Sequence, residues 1–354
     1  MAQKPTRYRE VVVAGSPREM GRQLGEAARA EIRGFCDAAL PLVNKTLPIS
    51  RARALEIVRI TLPLAERYAP DMVEELRGTA ESARVSLDDL FLLQIRNQLQ
   101  PAREAGCTSF SLAPQRTTEG HAMVAQNWDS DPALDPFTIV LIRRPTGKPA
   151  LMTVTQAGLI AYIGMNSAGI AACLNTLPAP ARIEGVPHYF TLRGIYEARS
   201  LDDAVHAVRR AQRAIPASIM LATPQGPANL EVTIDSVHVL QNEQLGCVTH
   251  TNHCVHEDLT AINKQFPELI ESHPRFSRIN TLTQPPATRF SVADVQRMLT
   301  DHDNFPRSIC RHHNDHPKHG FWETVFSVVM QPTLGWMYVS RGTPCSCRYE
   351  RYEM

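Results

Sequence analysis

Glu104-Ala105-Gly106-Cys107-Thr108-Ser109-Phe110 is the most informative stretch of this 354-residue chain. The β-branched and aromatic residues from Thr108 to Leu112 predict a short strand. A polar turn follows over 114–120, and residues 121–129 predict a return strand. Such a hairpin would bring Asp129 back beside Cys107.

Cys107 is the candidate functional residue of this stretch. A cysteine is more often a small buried hydrophobe than a nucleophile, so Gly106-Cys107 alone assigns no chemistry. As the first residue of a new chain, however, Cys107 would carry both a thiol nucleophile and a free α-amine base. The stretch therefore raises the hypothesis that the chain is cut between Gly106 and Cys107.

The composition is that of an ordinary globular protein, with 43% apolar and 21% charged residues. A formal net charge of +1 gives no support for a nucleic-acid-binding surface. The first residues lack the apolar stretch of a signal peptide, and no apolar run reaches membrane-spanning length. We therefore expect a soluble, cytoplasmic protein. The eight cysteines include no CxxC pair, which favours neither a disulfide framework nor a zinc site.

The pattern of the chain changes from helical to strand-rich at Cys107. Upstream, apolar spacing and caps predict helices over about 17–40, 50–69, 71–85 and 86–99. Downstream, helices are predicted over 190–199, 201–212 and 292–299, and strands over 138–142, 150–155, 159–163, 169–175, 217–222, 229–234, 237–240, 324–330 and 335–340. Because helices and strands are partly segregated, we predict an α+β fold in one compact domain.

Further segments join Cys107 in a recognisable order. They are Gln126-Asn127-Trp128-Asp129, the pair Asn166 and Asn175, and Thr249-His250-Thr251-Asn252. With Ser16 to Glu26 and Gly342 to Cys345 they resemble the acyl-coenzyme A:6-aminopenicillanate acyltransferase family and, more distantly, choloylglycine hydrolases and acid ceramidases. This nearly full-length resemblance implies the four-layer αββα sandwich of N-terminal-nucleophile hydrolases, here with a helical N-terminal segment.

The resemblance also implies a zymogen that cleaves itself at Gly106-Cys107. Residues 1–106 would remain bound as an α chain, and residues 107–354 would form a β chain headed by the nucleophile Cys107. The mature enzyme would form a thioester with the acyl group of a small N-acylated compound. Whether water or an amine then receives that acyl group stays open.

The family resemblance implies roles for particular side chains. Asp129 matches the acid that orients the α-amine of Cys107, and Asn252 matches the oxyanion-hole asparagine. Asn175 is the candidate second donor, although an asparagine at a strand end often satisfies a local backbone group instead. Arg278 is the candidate for electrostatic stabilisation of the site, and Arg275 competes for that role.

The sequence departs from the distant relatives at Gln126, where they place an arginine. Glutamine cannot supply a positive charge beside the nucleophile, so any role of Gln126 is hydrogen bonding, as in the acyltransferase branch. This departure favours substrates other than bile-acid or N-acylethanolamine conjugates.

For partners, we expect the N-acyl substrate, an acyl-coenzyme A donor as a further candidate, neither nucleic acid nor membrane, and an α/β heterodimer after cleavage; a homo-oligomer stays open. No cofactor or metal is expected. The spacing of His302, Cys310, His312, His313, His316 and His319 fits no standard zinc pattern and favours a polar loop near the active-site mouth. Cys345 and Cys347 are interpreted as incidental reduced thiols.

Two alternative hypotheses stay open at this point. In one, the chain is a non-catalytic α+β binding or scaffold protein in which Cys107 is inert. In the other, the chain cleaves itself but has no further substrate.

Overall fold

The computed structural model describes residues 5–99, 106–267, 271–285, 287–316 and 320–354. The sequence predictions for Glu104, Ala105 and His319 therefore lie outside the described residues. None of the described helices is both long and apolar enough to cross a membrane.

The N-terminal part is helical, as the sequence predicts. Its helices are α1 (Pro17–Ala27), α2 (Arg29–Asn44), α3 (Arg51–Tyr68), α4 (Pro70–Ala83) and α5 (Leu87–Ile95). The single helix predicted over 17–40 is in fact two helices, because α1 packs closely on α4 while α2 packs on α5. Gly21 permits the first contact: a Cβ there would lie 2.0 Å from the carbonyl oxygen of Glu75.

Two β-sheets form the centre of the molecule. The first has the order β1-β4-β5-β6-β7-β8-β9-β10 and the second β11-β2-β3-β12-β13-β14. Only the β1–β4 pair is parallel among the described strand pairs. In chain order the strands are β1 (Glu10–Gly15), β2 (Thr108–Leu112), β3 (Met123–Ser130), β4 (Thr138–Pro145), β5 (Leu151–Gln156), β6 (Ile163–Asn166), β7 (Ala171–Thr176), β8 (Ala217–Thr223), β9 (Gly226–Val232), β10 (Val237–Leu240), β11 (Cys247–His250), β12 (Glu323–Gln331), β13 (Trp336–Arg341) and β14 (Tyr349–Glu353).

The strand predicted over 159–163 is wrong, because β6 begins only at Ile163. Gly158 has a positive φ of 96°, which interrupts extended backbone. Side chains then replace the missing strand partners: Gln94 donates to the carbonyl oxygen of Gly158 and accepts from the amide of Ile160. The last strand, β14, is one that the sequence analysis did not predict.

The layers follow the order αββα. Helices α1, α2, α6 (His188–Glu197) and α7 (Leu201–Arg209) contact the first sheet, whereas α8 (His273–Leu282) and α9 (Val292–Leu299) contact the second. The two sheets face each other, with β2 and β3 against β7 and β8. The predicted α+β four-layer sandwich with a helical N-terminal segment is therefore confirmed.

The space between the sheets holds buried polar side chains as well as apolar ones. Asn175 on β7 donates to the Ser109 hydroxyl at 3.0 Å and accepts from the Gln126 amide at 2.7 Å. All three side chains are fully buried, so these bonds fix β2 and β3 against the first sheet. They hold the end of β2, where Cys107 lies.

Candidate active site

The predicted hairpin places Asp129 at the Gly106–Cys107 bond. Strands β2 and β3 pair antiparallel with Thr108 opposite Asn127, so Gly106 lies just beyond the end of β2, beside Asp129. A Cβ on Gly106 would lie 3.0 Å from Oδ2 of Asp129 and 2.3 Å from Nη1 of Arg311. Glycine allows this close approach without displacing the Arg311 guanidinium, and the bond proposed for cleavage thus lies between a carboxyl group and a guanidinium.

Asp129 is a buried carboxyl group with one oxygen left unbonded. Its Oδ1 accepts a hydrogen bond from the Thr324 hydroxyl at 2.7 Å, whereas Oδ2 has no hydrogen-bond partner among the described residues. Burial raises the pKa of Asp129 to about 7, although the charges of Arg311 and Arg275 act in the opposite direction. Near neutral pH this group can therefore both take up and release a proton.

The Cys107 thiol is neutral in the uncut chain. The residue is 2% exposed, and burial together with the nearby Asp129 charge raises the thiol pKa to about 12. Because the thiolate is the nucleophilic form, attack by Cys107 requires a group that removes its proton. Asp129 is adjacent and has a pKa suited to that task.

Asn252 binds the backbone nitrogen of Cys107. Its Oδ1 accepts from the Cys107 N–H at 2.8 Å and from Nη2 of Arg275 at 3.0 Å. Its amide nitrogen donates to the carbonyl oxygen of Thr176 at 3.0 Å and to the Thr176 hydroxyl at 3.2 Å. Donors on one side and acceptors on the other determine this orientation of the amide group. Asn252 therefore holds the nitrogen that cleavage would convert into an α-amine.

The two candidate arginines on α8 lie in different environments. Arg275 is 3% exposed and donates to the carbonyl oxygen of Cys107 at 2.5 Å and to the Thr108 hydroxyl at 3.1 Å. Arg278 instead forms ion pairs with Asp301 at 2.6 Å and Asp303 at 2.9 Å. The structure thus brings Arg275, and not Arg278, to Cys107.

Asn175 lies on β7 of the first sheet, which faces the sheet of β2 and β3 next to Cys107. Besides its bonds to Ser109 and Gln126, its amide nitrogen donates to the carbonyl oxygen of Thr251 at 2.8 Å. Gln126 likewise donates to the carbonyl oxygen of Leu174 at 2.7 Å. Both side chains connect the sheets through hydrogen bonds, and neither lines the cavity at Cys107.

Sequence reasoning missed Arg311 and Thr324. Thr324 lies opposite Asp129 in the β3–β12 pairing, and its hydroxyl also accepts from the backbone amide of Arg311 at 3.0 Å. A threonine near the start of a strand is common, and Arg311 lies within the histidine-rich tract that was interpreted as a polar loop. No local pattern distinguishes either residue.

A partly open cavity with an empty volume of about 740 Å³ adjoins Cys107. Burial, and then the charge of Arg96, lower the pKa of His188 in the cavity wall to about 3, so that its imidazole is neutral. The wall combines aromatic and aliphatic surface with a few polar groups, as ligand cavities commonly do; its side chains include Trp128, Tyr162, Leu174, Trp322, Arg96 and His188.

Proteins similar to this chain include one named as an acyltransferase and one named as a hydrolase. The 40 kDa form of acyl-coenzyme A:6-aminopenicillanic-acid-acyltransferase from Emericella nidulans is 28% identical over 90% of this chain and 88% of its own length. Beta-alanyl-dopamine/carcinine hydrolase from Drosophila melanogaster is 24% identical over 56% of each chain.

Two solved structures are more distant. Penicillin V acylase from Agrobacterium tumefaciens has a TM-score of 0.45 at 13% identity, covering 70% of this chain and 86% of its own. A variant of conjugated bile acid hydrolase from Clostridium perfringens has a TM-score of 0.45 at 11% identity, covering 70% and 97%.

A sequence model of one family matches residues 116–344, which is more than half of the chain. The match begins after Cys107 but includes Asp129, Asn175, Asn252 and Arg275. It confirms the predicted family and, with it, an enzyme of the acyltransferase and amidohydrolase type. The chain belongs to the acyl-coenzyme A:6-aminopenicillanic acid acyl-transferase family.

Proposed function

We propose that the chain cleaves itself between Gly106 and Cys107 and then uses Cys107 to cleave or transfer the acyl group of a small N-acylated compound. The observation that carries this proposal is the position of Cys107, which lines the cavity next to Asp129 while Asn252 holds its nitrogen. The proposed nucleophile Cys107, the proposed proton acceptor Asp129 and the cavity for the substrate thus all lie at the Gly106–Cys107 bond.

Self-cleavage proceeds in two balanced steps. Asp129 takes the thiol proton, and Sγ of Cys107 attacks the carbonyl carbon of Gly106. The C–N bond then breaks, the Cys107 nitrogen receives the proton, and Gly106 is left as a thioester. Water adds to that thioester; one of its protons goes to the sulfur and the other to solvent, which leaves a Gly106 carboxylate and a free Cys107 α-amine.

The same residues acquire new roles in the mature enzyme. The α-amine has an ordinary pKa of about 8 and can accept the thiol proton at neutral pH. Arg275 holds the carbonyl oxygen of Cys107, and Asn252 holds its nitrogen, so both sides of the nucleophile are positioned. The amide group of Asn252, now bonded to Thr176 in the cavity wall, is our candidate donor to the substrate oxyanion, a role worth on the order of 3 kcal/mol.

The cavity supports an acyl group with apolar or aromatic surface. Trp128 lies edge-on to Tyr162 with ring centroids 5.5 Å apart, and Leu174 and Trp322 complete this side of the wall. Hydrolysis and transfer share the Cys107 thioester, and the acceptor decides between them. The similar E. nidulans protein is named as a transferase and the D. melanogaster protein as a hydrolase, so both an acyl-coenzyme A donor and a simple amide are candidate substrates.

We further propose that residues 1–106 stay bound as an α chain to the β chain 107–354. Strand β1 pairs with β4 across this boundary. Helices α1 and α2 supply fully buried core residues such as Met20, Ile32 and Phe35. Such burial, at about 25 cal/mol per Å² of apolar surface, disfavours dissociation of the fragments.

Intact-mass analysis tests the proposal. Wild-type protein should give two fragments, one ending at Gly106 and one beginning at Cys107, which co-elute under native conditions. Cys107→Ala should give one uncut chain without activity, while the control Cys247→Ala, at another buried cysteine of the same sheet, should still be cut. An uncut, inactive wild-type chain would support the scaffold alternative.

Substrate screening then separates the remaining alternatives. Matured protein should release the amine from at least one member of a panel of N-acyl amino acids, β-lactams and aminoacyl amines. Adding a free amine acceptor should divert the acyl group if the enzyme is a transferase. Complete cleavage without turnover of any panel member would instead favour a chain that acts only on itself.

A further inference from the structure

Four side chains of metal-ligating types meet beside the second sheet, and none of them lines the cavity. His302, Cys310 and His312 lie in the connection between α9 and β12, and Cys345 lies in the turn between β13 and β14. Their ligand atoms all lie within 4.8 Å of one another. Cys310 is buried and His312 half-buried, whereas His302 and Cys345 are exposed, so ions can reach the group from solvent.

Three distances within this group, all measured from Nε2 of His312, fit a tetrahedral metal site, and the remaining pairs of ligand atoms lie within 4.8 Å of one another. Nε2 of His312 lies 3.0 Å from Nε2 of His302, 3.5 Å from Sγ of Cys310 and 3.4 Å from Sγ of Cys345. With Zn–N bonds of about 2.05 Å and Zn–S bonds of about 2.3 Å, neighbouring ligands of a tetrahedral zinc lie about 3.3–3.8 Å apart. The observed spacings agree with this range to within a few tenths of an ångström.

We propose that His302, Cys310, His312 and Cys345 bind one zinc-type divalent ion as a closed structural site. Two thiolates and two imidazoles in a tetrahedral arrangement are a donor set that selects zinc. Two thiolates also balance the charge of a divalent ion. With four protein ligands no position is left for water or substrate, so the ion stabilises the structure and does not take part in the chemistry.

The ion would fix the segment that carries Arg311. Cys310 and His312 point into the ligand group, while Arg311 between them reaches Gly106 on the other side. The backbone of this segment is already bonded to Asp301 and Thr324. A metal bond to Cys345 would also connect this segment to the turn between β13 and β14. The metal site itself is independent of the proposed function.

The sequence analysis expected no metal here because the local spacing fits no zinc pattern. The fourth ligand, Cys345, comes from a distant turn, and only the fold brings it to the histidine-rich tract. The other explanation for the proximity of two thiols is a disulfide between Cys310 and Cys345.

Metal analysis of the full chain tests the proposal. Protein loaded with Zn²⁺ under reducing conditions and then desalted should hold one zinc per chain by elemental analysis. Co²⁺ in its place should give the intense visible absorption of a tetrahedral site with sulfur ligands. His312→Ala and Cys345→Ser should lose the metal, while the controls His313→Ala and Cys347→Ser, which change neighbours outside the ligand group, should retain it.

A second readout covers variants that fold poorly. Chelation should lower the melting temperature of wild-type protein but leave that of His312→Ala unchanged. The proposal would be overturned if the wild-type chain held far less than one zinc after loading. It would also be overturned if the two control variants lost the zinc as the ligand variants do. A Cys310–Cys345 disulfide found in place of the metal would overturn it as well. The cleavage masses are read separately, so this failure would leave the proposed function standing.

Discussion

Two buried carboxyl groups in this molecule, Glu75 and Asp129, have pKa values that are shifted in opposite directions. Each residue is 2% exposed. Glu75 accepts from Arg143 at 2.6 Å and from Arg193 at 3.0 Å, one arginine on each carboxylate oxygen. Burial acts to raise its pKa, but the two arginines hold it below its usual value. The Asp129 carboxyl group accepts one hydrogen bond from the described residues, and burial raises its pKa to about 7.

This difference in pKa fits a structural role for Glu75 and the proposed role of proton acceptor for Asp129. Glu75 lies on α4, whereas Arg143 and Arg193 lie on β4 and α6, so this ion-paired group ties the proposed α chain to the β chain. Asp129 keeps one oxygen unbonded beside Gly106. An unsatisfied carboxyl costs stability but leaves a proton acceptor where the proposed reaction needs one.

The largest expected effect is on stability, from Glu75→Gln. Removing the charge leaves the buried Arg143 without its carboxylate and Arg193 with Glu197 at 3.3 Å as its remaining ion pair among the described residues. Breaking such a buried group typically costs about 3–5 kcal/mol of unfolding free energy. Urea unfolding should be measured in the Cys107→Ala background, where all variants remain uncut. The control is Glu74→Gln, the partly exposed neighbour that pairs with Arg77 and Arg18, for which we expect a change below about 1 kcal/mol. Equal losses in both variants would contradict the structural role of Glu75.

Asp129→Asn should show the reverse behaviour, with lost chemistry and little lost stability. Without a proton acceptor the appearance of the two fragments should slow at least about tenfold, equivalent to roughly 1.4 kcal/mol in the barrier. A mass time course after cell-free synthesis measures this rate. Asp131→Asn, two residues further at the start of a short helical turn, is the control and should be cut at the wild-type rate. Wild-type cleavage of Asp129→Asn would show that Asp129 has only a structural role.

The two carboxylates should also respond to pH in opposite directions. The raised pKa of Asp129 means that its contribution to stability is present below about pH 4 and is lost as pH rises through about 7. The lowered pKa of Glu75 means that its contribution is present above about pH 4.5 and is lost as pH falls.

Urea unfolding at several pH values checks these signs. In the Cys107→Ala background, Asp129→Asn should gain stability relative to its parent between about pH 4 and 7. In that range Asp129 is neutral when folded but ionised when unfolded, so folding of the parent must take up a proton that the variant does not need. Glu75→Gln should lose the least stability relative to its parent at the acid end of that pH range. If the unfolding free energies of parent and variants changed with pH in parallel, neither the raised pKa of Asp129 nor the lowered pKa of Glu75 would be supported.

The sequence could predict the parts of the site that short-range structure builds. The β2–β3 hairpin follows from strand and turn residues close together in the chain, so the approach of Asp129 to Cys107 was predictable. The αββα order followed from the family resemblance. Pairing of Glu75 with Arg143 and Arg193 was not predictable, because the three lie on separate elements with no local signal of an ion pair.

The choice between Arg275 and Arg278 shows the same limit within one helix. Both lie on α8, and the sequence could not decide which one faces Cys107. The packing of α8 on β2 and β11 decides it. Arg311 and Thr324 come from a connection and a strand that are distant in sequence, and their proximity to Asp129 results from the β3–β12 pairing.

The smallest expected effect comes from Gly106→Ala, which tests how closely Arg311 controls Asp129. The added methyl group would lie 2.3 Å from Nη1 of Arg311, so the flexible guanidinium must move. Its charge lowers the pKa of Asp129, and displacement should therefore raise that pKa and slow fragment formation severalfold near neutral pH. The pH dependence of the cleavage rate should shift upward accordingly.

Gly120→Ala is the matched control, because it adds the same methyl group in open space at a glycine with a φ of 71°. It carries a backbone cost without contact with the site, so its cleavage rate should stay at the wild-type value. If Gly106→Ala were cut at the wild-type rate with an unshifted pH profile, Arg311 would not tune Asp129. The raised pKa of Asp129 would then be due to burial alone. Asp129 and Glu75 would differ in their hydrogen bonds rather than in their paired charges.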